Sequence, residues 1–331
     1  MFKKLFLAFV CSSVIISCNN LDTGKSQGST VEKNLLPSSN GGRLDIMVIA
    51  EESLWQDSPG EIFRRYFTEA QDGLPQNEPI FNVRQVTPKQ FGTMLQRSRN
   101  VVIIETGEQG FVWETDKYAK PQQYLIFSAV DKKALVELIQ AHQEEAITQL
   151  HDSEMRYLQK RVTAKSQAVS KTLSSHNVSL KIPPAFEKTV EQEDLLVYWS
   201  KTLKTQQGLI IHFEPIPNNE TALGSRIIPL RDSITKLHIP GDNEGSYMRV
   251  EDIVPPTFRN MKIDDRYTIE TRGLWRTEGD FMGGAFLSYT IYDEPNNQKI
   301  TVDGFLYAPE INKRNFVLEI EAVLRSIEFA K

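Results

Sequence analysis

YLIFSAVDKKALVELIQAHQEEAITQL, residues 124–150, decides how this chain is read. Tyr124 to Val130 is a largely apolar run of strand length. Asp131 then opens a stripe in which Leu135, Leu138, Ile139, His142, Ala146 and Leu150 recur at spacings of three and four, the mark of a helix that buries one face. Met155, Leu158, Val162, Val169 and Leu173 extend the stripe less regularly, and neither Pro nor Gly interrupts Asp131 to Leu173. One helix of that length would run about 65 Å at 1.5 Å per residue, so a break is expected near His151-Asp152-Ser153. A second strand-to-helix passage, FLYAPEINKRNFVLEI from Phe305, lies at a constant offset of 181 residues, with Lys313-Arg314 against Lys132-Lys133. The expected fold is α+β: two tandem sheet-and-helix domains, residues 43–174 and 175–331, joined by the long helical segment. An internal duplication would explain the offset, as would the frequency of strand-then-helix pairs.

Outward from this stretch, buried strands are expected at Leu44–Ala50 (LDIMVIA), Phe81–Val86, Arg99–Glu105 and Gln123–Val130, with Val112–Lys120 completing a sheet. Ser58-Pro59-Gly60-Glu61 carries helix-start chemistry, a serine cap and a proline in the first turn. Thr87-Pro88 predicts another short helix through Leu95. The second half reads as strands at Val178–Ile182, Leu195–Ser200, Gly208–Phe213, Tyr267–Trp275, Ala285–Asp293 and Lys299–Tyr307. Short helical stretches are expected at Asp232–His238 and from Asn312, where Phe316, Val317, Ile320, Val323, Leu324 and Ile327 line one side. The second domain is therefore a mainly antiparallel sheet closed by a C-terminal helix.

The start of the chain has different chemistry. Lys3 and Lys4 precede a largely apolar run from Leu5 to Ile16, followed by Ser17-Cys18. The run is shorter than the roughly 20 residues of a membrane span and fits an export leader. An aliphatic residue, a small residue and a cysteine form the pattern of a bacterial lipoprotein signal, residues 1–17, cleaved before Cys18. Residues 18–42 are polar and rich in Ser, Asn and Gly, and read as a flexible tether. Acyl chains on Cys18 would then hold the protein to a membrane, stable anchoring requiring two or more chains. Asn19, not Asp, follows the cysteine, so nothing favours inner-membrane retention, and the outer membrane is the expected location. Cys11 and Cys18 are the only cysteines, so the processed chain keeps one thiol and forms no internal disulfide or cysteine-based zinc site. Loss of Lys3 and Lys4 takes the formal net charge from −5 to −7. That balance excludes the electrostatic footprint of a nucleic-acid binder, and no polybasic patch for anionic lipid is expected.

No catalytic set assembles from spacing. His142, His151, His176, His212 and His238 form neither HxH nor HExxH. His142 reads as a hydrogen-bonded core residue and His212 as half-buried in a strand. There is no GxSxG and no calcium-loop order in the acidic Glu187–Asp194 stretch. No cofactor is expected. The densest unusual stretch is RGLWRTEGDFMGGAF, Arg272 to Phe286. Its glycines permit positive backbone angles or close approach, but lack the context of a phosphate loop. Arg272, Trp275, Asp280, Met282, Gly283 and Gly284 are its candidate ligand or partner surface, with Arg272 or Arg276 taking an anionic group beside the Trp275 ring. The plainer reading is two strands, a glycine bulge and an Arg-to-Asp pair.

MRVEDIVPP from Met248, RGLWRTEGDFMGGAF, DGFLYAPEINKRNF and a terminal helix together resemble the domain-of-unknown-function 4837 family, predicted lipoproteins of Bacteroidota. The likeness covers most of the chain from about Leu44, and Gly-Leu-Trp and Met-Gly-Gly are its most specific words, with Ala285 where the family has proline. It implies an envelope location and brings no activity or catalytic residues. The second half also resembles the layered antiparallel sheets of the PsbP and Mog1 type, a likeness of fold that says little about function. The function expected is that of a lipid-anchored envelope protein binding another envelope protein or a glycan. The alternative is an envelope hydrolase with its site near Arg272–Phe286.

Overall fold

The computed structural model describes residues 35–216 and 225–330, within a compact unit running from Pro37 to Lys331. The expected leader, residues 1–17, and Cys18 lie outside the described residues. Residues 37–42, assigned to the tether from sequence, are held against the N-terminal sheet: Asn40 N–H donates to the Arg97 carbonyl at 2.8 Å, and Arg99 Nη2 to the Gly42 carbonyl at 2.7 Å.

That sheet contains β1 (Asp45–Ala50), β2 (Asn82–Val86), β3 (Asn100–Thr106), β4 (Gly110–Thr115) and β5 (Gln123–Ala129), in the order β2-β1-β3-β5-β4. All neighbours are parallel except β4 and β5. Parallel strands need apolar residues on both faces, and LDIMVIA and NVVIIE supply them. One face packs Ile46, Val48, Val102, Ile104, Leu125 and Phe127 against helices; the other gathers Ile49, Val101, Ile103 and Tyr124. Among the helices on this half, α1 (Glu52–Trp55) and α2 (Ser58–Phe67) follow β1, and α3 (Thr93–Gln96) precedes β3. The cap of α2 is Asp57, one residue before the serine expected from sequence, its carboxylate accepting from Ser58 N–H.

The long helix is unbroken. α4 spans Lys132–Val162, 31 residues, or about 46 Å, and Asp131 caps it by accepting from Ala134 N–H at 2.8 Å. The break expected at His151-Asp152-Ser153 does not occur, because polar groups in those turns have partners in both halves. Just beyond that turn, buried Glu154 accepts from Arg99 Nε, from Asn100 Nδ2 at 3.0 Å and from Leu44 N–H at 3.3 Å. Leu135, Ile139, Ala146, Leu150, Met155 and Leu158 keep the apolar stripe continuous.

After α4 come α5 (Lys171–Ser175) and β6 (Val178–Ser179), then β7 (Glu187–Glu191), β8 (Leu195–Lys201) and β9 (Gln206–Pro215). α6 (Ile227–His238) and β10 (Tyr247–Val250) follow. Then come β11 (Thr257–Ile263), β12 (Arg266–Glu278), β13 (Gly283–Asp293) and β14 (Gln298–Tyr307), and α7 (Arg314–Leu324) and β15 (Glu328–Phe329) end the chain. Eight of these strands form an antiparallel sheet in the order β10-β12-β13-β14-β9-β8-β7, with β11 also on β12; β6 pairs with β15. α6 packs on one face, over Trp275, Phe286 and Phe305. α7 packs on the other, and Gly304 admits it, since a Cβ there would overlap Ile320.

α7 also reaches the first half. Val317, Ile320, Val323 and Leu324 join the C-terminal core, whereas Leu318 and Ala322 join the N-terminal one. Its N-terminus has no cap of its own; Glu78, from the first half, accepts from Lys313 N–H at 2.6 Å and Arg314 N–H at 3.1 Å. The two strand-to-helix passages at offset 181 thus sit in differently built sheets, β5 in a mostly parallel one and β14 in an antiparallel one.

Candidate functional site

Alternation along β12 places Glu270 and Arg272 on the face that meets α7. Register puts Tyr289 of β13 and Arg259 of β11 on either side of Glu270. From α7 and its C-cap, Glu321 and Arg325, four residues apart, project toward the same point, and α4 adds His151 and Asp152. These groups form one network at the floor of a cleft of about 450 Å³, whose rim includes Glu69, Asp72 and Phe258.

The contacts are dense. Arg272 donates to Glu270 through Nε at 3.0 Å and Nη2 at 3.1 Å, and to Glu321 at 2.9 Å. Arg325 Nη2 pairs with Glu321 at 2.9 Å, and its Nη1 lies 3.4 Å from Asp152. The Tyr289 hydroxyl accepts from Arg325 Nε at 3.0 Å and donates to Glu270 at 3.1 Å or Glu321 at 3.2 Å. Arg259 reaches Glu270 at 3.2 Å from the solvent side. His151 Nε2 stands 4.0 Å from Glu321.

Three arginines therefore face three carboxylates, and the electrostatics follow from that balance. Burial alone would raise Glu321, but Arg272 and Arg325 hold its carboxyl well below the usual range. Glu270 is lowered too, against burial, chiefly by Arg272. Arg272 is held charged despite burial by Glu321 and Glu270. Burial, then Glu321, pushes the Tyr289 phenol up. Burial pushes the His151 imidazole down, against the pull of Glu321, so it is neutral at pH 7. General acid–base chemistry works best with groups poised near the operating pH; here both buried carboxylates are driven away from it. What the arrangement does is lock α4, α7 and β12 together through charge-assisted hydrogen bonds.

The six residues expected to share one surface do not. Trp275 is three positions from Arg272 and so lies on the opposite face of β12. There its Nε1 donates to the Leu306 carbonyl at 3.3 Å and its ring packs edge-on to Phe305. Asp280 sits in the β12–β13 turn, where its carboxylate accepts from Phe281 N–H and Asp242 N–H, each at 2.7 Å, and from Asn243 N–H at 3.3 Å. Those backbone bonds hold its carboxyl below the usual range and fasten the neighbouring loop. Met282 packs partly buried on the Trp275 cluster. Gly283 is exposed; Gly284 is buried, and a Cβ on it would overlap the Leu306 carbonyl oxygen. The ligand site pairing Arg272 with the Trp275 ring is thus corrected, because the pleat separates them. His142 is also less buried than expected, stacked on Phe111 at 4.5 Å with its side chain 36% exposed.

Sequence reading missed His151, Glu270, Tyr289, Glu321 and Arg325. One signal was available: Glu321 lies among Ile320, Val323 and Leu324, a charge inside an apolar stripe. Among the described residues, no group of three or more His, Cys, Asp or Glu side chains is placed to hold a metal ion. No helix among them is long and apolar enough to cross a membrane.

No curated protein matches the sequence. Among solved structures, the 1.9 Å crystal structure of the Saccharomyces cerevisiae Ran-binding protein Mog1p aligns with 48% of this chain and 93% of its own, at 8% identity and a TM-score of 0.33. A point mutant of Mog1 aligns with 47% of this chain and 92% of its own, at 9% identity and a TM-score of 0.28. Two family models match, both described as domains of unknown function: DUF8532 over residues 39–163 and DUF4837 over residues 165–326. The match of the resembled family therefore starts at residue 165 rather than near Leu44. Residues 165–326, which hold the antiparallel sheet and the network residues Arg259, Glu270, Arg272, Tyr289, Glu321 and Arg325, match the DUF4837 family model.

Proposed function

We propose that this chain is a lipid-anchored protein of the outer membrane whose folded part binds another envelope protein without catalysing a reaction. The Lys3-Lys4 leader and Cys18 support the anchor, and the polar residues after Cys18 would let the folded part stand clear of the lipid. The observation that carries the binding reading is at one end of the C-terminal sheet. Leu203, in the β8–β9 turn, and Phe281, in the β12–β13 turn, are 106% and 102% exposed. Register places both turns at the same end, since Gln206 pairs with Tyr307 and Ala285 with Leu306. Fully burying two such side chains contributes about 3–6 kcal/mol of transfer free energy.

A protein fits this end better than a glycan. The nearby Trp275 ring is buried and offers no open face for a sugar, and the Asp280 carboxylate is already committed to three backbone N–H groups. The test is a photo-crosslinking residue at position 281 in native cells, with position 130 on the other half as a control. A reproducible envelope-protein adduct at 281 that is absent at 130 is the expected result. Equal adducts at both, or none at 281, would remove this surface from consideration. Cys18→Ser is expected to lose acyl labelling and membrane retention; a variant that stays in the membrane refutes the anchor.

A further inference from the structure

The largest of the clefts described lies on a different face. It measures about 860 Å³ and is framed by the last turns of α4, the loop at Lys120-Pro121 and the segment at Lys181. Its lining contains Lys120, Arg156, Lys160, Arg161, Lys181 and Arg325 against Asp116 and Glu328. A chain that is acidic overall thus gathers positive charge in one place. Lys181 is neutralised by Glu328 at 2.6 Å, Lys120 is loosely paired with Asp116 at 3.8 Å, and Arg325 belongs to the buried network. Arg156, Lys160 and Arg161 are exposed and have no carboxylate partner among the described residues. Arg161 is steered by Tyr157, whose hydroxyl accepts from its Nη1 at 3.1 Å. The 156–160 spacing puts Arg156 and Lys160 on the same helix face.

Residues 37–39 run beside this cleft. Lys120 N–H donates to the Pro37 carbonyl at 2.9 Å, Ser39 N–H donates to the Lys120 carbonyl at 3.2 Å, and Arg97 Nη2 donates to the Ser38 carbonyl at 2.9 Å. An anchor on Cys18 would enter the folded part through Pro37, next to Lys120. An anchor on the same chain would raise the effective concentration of the basic cleft at the surface that carries it.

We infer that this cleft is the membrane-facing side of the protein and docks on the anionic, phosphate-bearing headgroups of the bilayer to which Cys18 ties the chain. The inference rests on the proposed anchor for its geometry. Its chemistry stands on the unpaired guanidinium and ammonium groups. Basic residues near an anionic bilayer each strengthen attachment, an effect that fades within a Debye length and with salt.

The test uses residues 37–331. All five apolar clusters lie inside that segment, so it carries its own cores. It lacks Cys18, so its result is read separately from that of the anchor. Flotation with vesicles of one-third phosphatidylglycerol in phosphatidylcholine should recover the segment at low salt and release it at high salt. Vesicles of phosphatidylcholine alone should not recover it. The exposed double variant R156E/K160E, with unchanged thermal unfolding, should bind at least about 30-fold more weakly, whereas K204E on the β8–β9 turn should bind as the parent does. Equal recovery on neutral and anionic vesicles, or no effect of the double variant, overturns the inference. Binding of soluble polyphosphate without vesicle binding also overturns it, since the source of the phosphate would then not be the membrane.

Discussion

Replacing Glu321 by glutamine probes the element that joins the two halves of this protein. The carboxylate is fully enclosed and carries contacts from Arg272 at 2.9 Å, Arg325 at 2.9 Å and Tyr289 at 3.2 Å. Glutamine keeps the shape and one acceptor but removes the charge. Arg272 and Arg325, with side chains 9% and 16% exposed, then share Glu270 and Asp152 as their remaining counter-charges. Removing one member of a buried ion pair costs about 3–5 kcal/mol, because the remaining charge keeps its desolvation penalty. For a domain of this size, about 2 °C of Tm is lost per kcal/mol, so a drop of about 6–10 °C is expected in differential scanning calorimetry. Glu328→Gln is the control. It removes an exposed pair with Lys181, and such pairs contribute about 0–1 kcal/mol. A Glu321→Gln protein that melts within about 1 °C of the parent, or no lower than Glu328→Gln, would refute the network as a brace.

The same network predicts a response to acid. His151 is held neutral by burial, with its folded pKa below 6.5, so the unfolded chain binds more protons once pH falls below that value. Stability is complete above about pH 6.5 and declines below it by at most about 1.4 kcal/mol per pH unit for this group. Urea unfolding at pH 7.5 and 5.5 should show the decline, and His151→Gln should remove its share; His212, also lowered by burial, supplies the rest. An unchanged pH slope in His151→Gln contradicts the assignment. Glu321, whose folded pKa is depressed, contributes stability above its unfolded value near 4.3 that is lost as pH falls through the acid range. In the β12–β13 hairpin, Gly284→Ala should destabilise by about 1–3 kcal/mol through overpacking against backbone. Gly283→Ala should cost less, its nearest neighbour being the Trp275 carbonyl oxygen at 3.1 Å. Equal melting temperatures for the two would refute the reading of Gly284 as a close-approach position.

Most strands were legible because their apolar runs are local. β1, β3, β5, β8, β9, β12, β13 and β14 each read from their own residues. β7, β10 and β11 did not, being short or exposed edge strands: β7 is EKTVE and β11 is mostly solvated. The unbroken α4 was illegible for another reason. Its middle turns look polar and weak, and only Arg99 and Asn100 on one side and the α7 network on the other make them a continuous buried helix. The unusual stretch at Arg272–Phe286 was legible as unusual, but not as divided. Side-chain alternation along β12 sends Arg272 and Trp275 to opposite faces, and the choice of face depends on what packs there.

The sequence by itself determined the element types, the antiparallel character of the second sheet and the charge balance, because periodicity and composition are properties of neighbouring residues. The leader and Cys18 rest on sequence alone, as an expectation that the Cys18→Ser variant tests. Only the tertiary structure decided which charges meet. Arg272 and Glu321 are forty-nine residues apart, and His151 is further still from both. Their meeting depends on α7 lying between two cores, and the floor of one cleft and the basic lining of another follow from the same packing. Charges on separate elements become partners only when burial removes water from between them, and that burial is a property of the assembled chain.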